Sequence, residues 1–388
     1  MVKPYVFEKP LGMRDILPEL LRKQRFLESV LRSCINKWGY EEIATPSLEY
    51  FDTVGAASVT VTDHMFKLLD KQGHTVILRP ELTAPIARVV SSLYKDVPYP
   101  IRLFYQANVF RAQEKEAGRN AEFFQTGVEL IGDASVDADA EAIALAISCL
   151  HEAGVPTFKI AVGHIDIVMG LLEECVREEE VRSQFCRFLH QSDYVGYRQL
   201  VMEYTDDADV IDKLLAILRL RGGRGKIDEA RQLITNPKSQ NAIDTVASLW
   251  GALEAYGVTE HVLLDFNLIG RFDYYTGIVF EGYAADLGSP LLSGGRYDNL
   301  LERFGRPAAA TGFALEMDRL MTIPTSYHEV RTEQIVILYK AEYREEALQL
   351  AQQKRKEQQV VVTGPWTDET EKAFASLDNS KLIRLGET

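Results

Sequence analysis

NVFRAQEKEAGRNAEFFQTGVELIG, the stretch from Asn108 to Gly132, reads as two strands joined by a charged loop. Phe104 to Arg111 is apolar and aromatic, Glu114 to Asn120 is polar and holds a glycine, and Glu122 to Ile131 alternates apolar with polar residues. The pattern predicts a hairpin with a long loop. Residues two apart on a strand share a face, so Gln125 and Glu129 point the same way, with Arg111 and Arg119 on the flanks. Opposed charges on one sheet face suit a zwitterionic small ligand. They equally describe a solvated hairpin with surface ion pairs, which for a lone hairpin is the commoner outcome.

Upstream, a strand at TVILRP runs into ELTAPIARVV, placing Glu81 and Thr83 where strand gives way to helix. Both types serve there as helix caps or as ligand groups, with even weight. GYEEIATPSLEY alternates like a strand but holds Pro46, which cannot donate to a ladder and so belongs at a sheet edge or a subunit contact. An amphipathic helix precedes it, from about Glu19 to Lys37, and stops at Gly39. Downstream, Asp137 to Gly154 reads as an alanine-rich helix and Phe158 to Gly163 as a strand. From about 166 to 256 the periodicity turns helical and charged, as in an inserted subdomain. RLRGGRGK within it, Arg219 to Lys226, fits a helix-connecting loop better than an anion cradle, because the full phosphate-loop pattern is absent. Strands resume through FDYYTG, SGGRYDNL and ATGFALEMDRLM. The last sixty or so residues repeat strand and helix as a small βαβαβ unit with parallel pairing.

A chain of 388 residues with 46% hydrophobic content has room for two or three domains and a sizeable core. A formal charge of −14 argues against a broad phosphate-binding surface, which would be basic. The four cysteines, Cys34, Cys149, Cys175 and Cys186, have neither zinc-site spacing nor disulfide density, and the histidines form no ligand pair. No metal and no cofactor are expected. No segment approaches a membrane span and the N-terminus has no secretory pattern, so the expected compartment is the cytoplasm.

Taken in order from about Leu11 to Met321, these segments resemble the histidyl-tRNA synthetase family of class II synthetases. LGMRDILP resembles the family's start, GYEEIATPSLEY its motif 1, the Phe110 to Gln125 hairpin its motif 2, and GFALEMDRL its motif 3. FDYYTG and SGGRYDNL resemble the signatures of the histidine-specific branch. The resemblance implies an α+β fold, with an antiparallel sheet flanked by helices and dimerised through motif 1. It divides the chain into a synthetase-like core over 1–325, with the helical insertion at about 166–256, and a small C-terminal α/β domain over 330–388. It also implies a histidine site at Glu81, Thr83, Arg111, Gln125, Glu129, Tyr275 and Tyr297, and a remnant nucleotide site at Arg119 and Arg319.

The departures bear on activity. Where the synthetases have an arginine three residues before Asp-Tyr-Tyr, this chain has Gly270, and Arg271 next to it points to the other face of a strand. Gln113 replaces a motif 2 glutamate, Ala121 a nucleotide-contacting arginine, and Glu316 a motif 3 glycine. Losing donors that stabilise phosphate charge removes transition-state stabilisation while leaving ligand groups in place, so no catalytic residue is assigned. This combination resembles the non-catalytic, synthetase-like regulatory subunits of ATP phosphoribosyltransferase. It implies the short-form catalytic subunit as partner in a hetero-oligomer, L-histidine as feedback effector, and no tRNA or membrane partner. The rival readings are a divergent histidyl-tRNA synthetase and an RNA-binding or kinase-associated synthetase-like module.

Overall fold

A computed structural model describes residues 7–58, 64–112, 120–270, 274–285, 287–328, 333–375 and 380–386. Gln113, Arg119, Arg271, Phe272 and Asp273 lie outside the described residues. The chain divides into two units, Met1–Tyr327 and His328–Thr388.

Pro46 splits what the sequence pattern reads as one strand. Strand β1 (Glu41–Glu42) pairs in parallel with the edge of the main sheet. After the break, β2 (Leu48–Tyr50) leaves for a small antiparallel sheet with β3 (Lys67–Leu69) and β4 (Thr75–Leu78), in the order β2-β4-β3. The buried Arg79 guanidinium joins the two sheets by donating to the carbonyls of Thr45 at 2.6 Å and Asn108 at 2.9 Å. Fixed donors of this kind satisfy carbonyls that the broken strand leaves unpaired.

The hairpin forms as expected. Strands β5 (Ile101–Phe110) and β6 (Glu122–Ile131) run antiparallel in unbroken register from Ile101 opposite Ile131 to Phe110 opposite Glu122. They sit within a sheet that also holds β7 (Phe158–His164), β8 (Arg221–Gly222), β9 (Val262–Asp265), β10 (Ile278–Ala284), β11 (Leu292–Arg296) and β12 (Ala310–Glu316). Its order is β1-β5-β6-β12-β11-β10-β7-β9-β8. Apart from β1 with β5 and β7 with β9, every pairing is antiparallel.

Helices α1 (Pro18–Asn36), α2 (Thr83–Ser92) and α3 (Val136–Glu152) pack on the core unit. Helix α3 starts one residue earlier than its first aspartate suggests. Ser135 is the N-cap, accepting from the Ala138 N–H, while Asp137 and Asp139 sit in the first turn, where the helix dipole favours negative charge. Its alanines Ala138, Ala140, Ala142, Ala144 and Ala146 are all buried, which allows close approach to α1 and the sheet. Between β7 and β9 run six helices: α4 (Ile165–Cys175), α5 (Glu179–His190), α6 (Tyr194–Tyr204), α7 (Ala208–Ala216), α8 (Gly225–Leu233) and α9 (Pro237–Ala255). Their apolar faces, including Phe185, Tyr197, Leu214 and Trp250, join the same core as Phe280 and Leu315 of the sheet.

RLRGGRGK departs from a plain loop. Arg221–Gly222 is the outermost strand of the main sheet, antiparallel to β9, with Arg221 ion-paired to Asp265 at 3.2 Å. The glycine pair in SGGRYDNL lies inside β11 rather than at a turn, and a Cβ on Gly294 would come within 2.4 Å of the Gly312 carbonyl oxygen. After the short helix α10 (Met317–Leu320) the core unit ends.

The C-terminal unit is a three-stranded parallel sheet, β13 (Gln334–Tyr339), β14 (Val360–Pro365) and β15 (Ser380–Leu385), in the order β14-β13-β15. Helices α11 (Arg344–Lys356) and α12 (Asp368–Ala375) make the crossovers, and Ile335, Ile337, Ala347, Ala351 and Val361 form its core. Among the described residues no helix is long and apolar enough to cross a membrane, and no cluster of side chains could hold a metal ion.

Candidate ligand-binding site

Register places the site. Gln125 on β6 lies opposite Glu316 on β12, Gly127 opposite Ala314, and Glu129 opposite Gly312, while β11 sets Ser293 beside Ala314 and Gly295 beside Gly312. Small residues in the middle of the sheet leave a hollow floor. A Cβ on Gly312 would come within 2.4 Å of the Glu129 carboxylate, and one on Gly127 within 2.4 Å of the Tyr105 ring and hydroxyl. These glycines make room for side chains that need depth.

The hollow is a cavity of about 120 Å³. Glu81, Thr83, Arg111, Gln125, Glu129, Tyr275 and Tyr297 all line it, so residues from four separated stretches converge on one space. Sequence reasoning missed Tyr105 and Tyr274, which line it too. The signal for Tyr105 was available, since it stands opposite Gly127, midway between the positions of Gln125 and Glu129.

The lining is richer in acid than a zwitterion site would be. Glu81, Glu129 and Glu316 face it with Arg111 as the one guanidinium among the described residues. Glu81 is both cap and lining: its buried carboxylate accepts from the Ala84 N–H at 3.1 Å, at the start of α2. Burial pushes its pKa above the usual carboxylate range, against the pull of that backbone bond. Burial likewise raises Glu129 to about 8, opposed by hydrogen bonds from the Tyr297 and Thr83 hydroxyls and assisted by the nearby charge of Glu81. The hydroxyls of Tyr105, Tyr274 and Tyr297 are pushed well above their ordinary value by burial and stay protonated donors. Tyr274 stacks on Tyr297 at 5.4 Å and meets Tyr275 edge-on at 5.1 Å, walling one side with aromatic surface. Buried carboxylates without a paired cation favour a ligand that brings N–H donors and positive charge. An ammonium and an imidazole are such groups.

The other end of the site is built differently. Arg111 is turned partly to structural duty: its Nε donates to the Pro80 carbonyl at 3.0 Å and its guanidinium lies 4.9 Å from the Phe123 ring centre. Arg319 does not line the cavity; its guanidinium donates to the Pro290 carbonyl. Gly270 has φ +50°, and a Cβ there would lie 3.1 Å from the Tyr275 ring, so the tyrosine covers the position where the synthetases carry an arginine. Ala121 is buried beneath the N-terminal segment, its N–H donating to the Gly12 carbonyl at 2.8 Å, and a Cβ on Gly12 would come within 2.6 Å of the Ala121 methyl. A long cationic side chain fits neither position.

Comparison with known proteins agrees with this division. A family profile described as histidyl-tRNA synthetase matches residues 12–320. A protein of Halalkalibacterium halodurans named ATP phosphoribosyltransferase regulatory subunit is 48% identical over 369 residues, covering 93% of this chain and 91% of the relative. A crystal structure from Bacillus halodurans, described as an ATP phosphoribosyltransferase regulatory subunit/histidyl-tRNA synthetase, superposes with a TM-score of 0.91 at 44% identity, covering 100% of both chains. A histidine–tRNA ligase subunit from Alicyclobacillus acidocaldarius superposes with a TM-score of 0.71 at 30% identity, covering 83% of this chain and 98% of that one. Long matches at this identity show the family: the chain belongs to the histidyl-tRNA synthetase-like proteins and, within them, to the ATP phosphoribosyltransferase regulatory subunits.

Proposed function

We propose that this chain is the non-catalytic regulatory subunit of a hetero-oligomeric ATP phosphoribosyltransferase, serving the first step of histidine biosynthesis in the cytoplasm. Its partner is the short-form catalytic subunit, and L-histidine is its effector. Histidine occupies the cavity bounded by Glu81, Thr83, Arg111, Gln125, Glu129, Tyr275 and Tyr297. The synthetase-like core over 1–325, with its insertion at about 166–256, carries that site and dimerises through motif 1, while the stretch 330–388 is too evenly charged to grip tRNA.

The observation that carries the reading is the cavity itself, in which buried carboxylates and tyrosine hydroxyls wait on a donor-rich ligand. Feedback requires histidine to bind the active and inactive states unequally, and the partner's state must then change histidine affinity by the same factor. Co-expression with the catalytic subunit, followed by phosphoribosyl-transfer assays with and without histidine, tests it. Activity that needs this chain and falls on adding histidine is the expected result; activity indifferent to histidine, with no binding by calorimetry, defeats it.

The second reading is a divergent synthetase, favoured by the retained Arg111 and by the ligase-subunit similarity. Histidine-dependent exchange of pyrophosphate into ATP would establish it.

A further inference from the structure

Beneath the N-terminal segment lies a second hollow, of about 80 Å³, lined by Arg14 and Ile16 of that segment, by Asn108, Glu122 and Phe124 of the hairpin, and by Asp318 of α10. Asn108 stands opposite Phe124 in the register, so these hairpin side chains leave the sheet on the face away from Gln125. One strand, β6, thus walls both hollows. The segment is pinned at the rim: Arg14 donates to Asp318 at 2.6 Å, Asn120 donates to the other oxygen of that carboxylate at 3.2 Å, and the Gly12 carbonyl accepts from the Ala121 N–H. Asp318 follows Glu316 by two residues, and Glu316 is both the N-cap position of α10 and the acceptor for the Gln125 amide in the first cavity. On either side of Arg14 and Ile16 in the chain, large apolar side chains stand in solvent. Leu11 is 81% and Leu17 70% exposed, and Leu21, one turn after Leu17, is exposed as well. Helix α1 packs inward through Leu27, Leu31 and Ile35 instead.

Exposed apolar side chains beside an open socket suit docking, in which one anchor fills the socket and its neighbours exclude water. Charge indicates what docks. Residues 7–25 hold five basic and three acidic side chains in a chain of net charge −14. A twofold contact between copies would set this basic strip against itself. Copies also have another apolar surface, the small sheet beside Pro46, where Leu48, Tyr50, Leu68 and Leu69 are exposed. We propose that the strip from Leu11 to Leu21, with the hollow behind it, docks an acidic, apolar-sided segment of the catalytic subunit, and that Asp318 and β6 carry the partner's presence to the first cavity. The proposal rests on the reading of the chain as a regulatory subunit that binds histidine. A segment seated against Arg14 bears on the Arg14–Asp318 bond, and through the start of α10 on the Glu316–Gln125 pair. That gives the two sites a shared element for both ligands to bias.

Calorimetry of the full chain against the purified catalytic subunit is the test. Leu11→Glu with Leu17→Asp removes two exposed anchors, and aspartate is a better N-cap for α1 than leucine. This variant should keep its melting temperature and its self-association while binding the catalytic subunit about a hundredfold more weakly. Arg14→Gln with Asp318→Asn strands no charge. It should bind histidine as the free wild-type chain does, with the change in histidine affinity caused by the partner cut to about twofold or less. A Leu11→Glu, Leu17→Asp chain that binds the catalytic subunit within about twofold of wild type overturns the docking site. One that loses self-association instead identifies a second copy as the occupant and overturns it too. An undiminished partner effect on histidine affinity in Arg14→Gln with Asp318→Asn overturns the route to the cavity. Wild type that does not bind the catalytic subunit at all defeats the regulatory-subunit reading itself.

Discussion

The cavity around Glu129 and the positions 270, 121 and 319 outside its lining differ in what they leave unsatisfied. At the Glu129 end, Gln125 Oε1 is buried without a partner among the described residues, and Gly127 and Gly312 leave the room that Tyr105 and Glu129 occupy. At the Gly270 end, the places for cations are filled by other things: a tyrosine ring over Gly270, the N-terminal segment over Ala121, and a backbone carbonyl on Arg319. Unsatisfied burial costs stability until a partner arrives. The difference therefore separates binding from catalysis, since the groups removed are those that act on developing phosphate charge.

The largest expected effect tests the filled end. Each preorganised donor lost costs on the order of a hundredfold, so two arginines lost put histidine-dependent pyrophosphate exchange on the order of 10⁴-fold below an active synthetase. Robust exchange would erase the contrast between the ends. Restoring the arginine alone, as Gly270→Arg, should not recover exchange, because φ of +50° and a Tyr275 ring 3.1 Å from the new Cβ oppose the side chain.

Next in size is the scaffold beneath the Glu129 end. Arg296, adjacent to Tyr297, donates to Asp139 at 3.0 Å and to the carbonyls of Asp133 and Ser135 at 3.1 and 3.0 Å, with both charges buried. Removing one partner strands the other, so Arg296→Met should cost roughly 3–5 kcal/mol in a denaturant melt. A loss under about 1 kcal/mol would mean that the loop holding Tyr297 is not anchored by this pair.

The hairpin, the faces of Gln125 and Glu129, and the parallel tail could be read from period and crossover alone, because burial on one face forces a two-residue alternation. Three features escaped such reading for physical reasons. Pro46 marks a break, but nothing local says that the chain then changes sheets, which depends on the distant Arg79 reaching Thr45 and Asn108. RLRGGRGK is an edge strand only because β9, some forty residues on, offers Asp265 and a free edge. The acid excess of the cavity also depends on tertiary placement, since Arg319 is near in sequence to Glu316 but donates elsewhere. Glu81 showed that two readings of one residue can both hold: it caps α2 and lines the cavity.

The smallest predicted effect probes the unsatisfied end through its proton. In the empty protein Glu129 holds its proton up to about pH 8, whereas an unfolded chain would release it near 4.5. The folded form therefore binds more protons between those values, and the unliganded protein should lose stability as pH rises through that window. A ligand N–H or cation against Glu129 favours its ionised form, so binding expels the proton and becomes easier as pH rises. Histidine affinity should increase by up to about tenfold per pH unit and level off near about pH 8, with the thermal shift caused by histidine growing in parallel. Glu129→Gln should bind histidine more weakly and with a flat profile over the same range, since it has no proton to lose. Affinity in wild type that is flat or falls with pH would mean that Glu129 does not meet the ligand, and that this end of the cavity is buried for some other purpose.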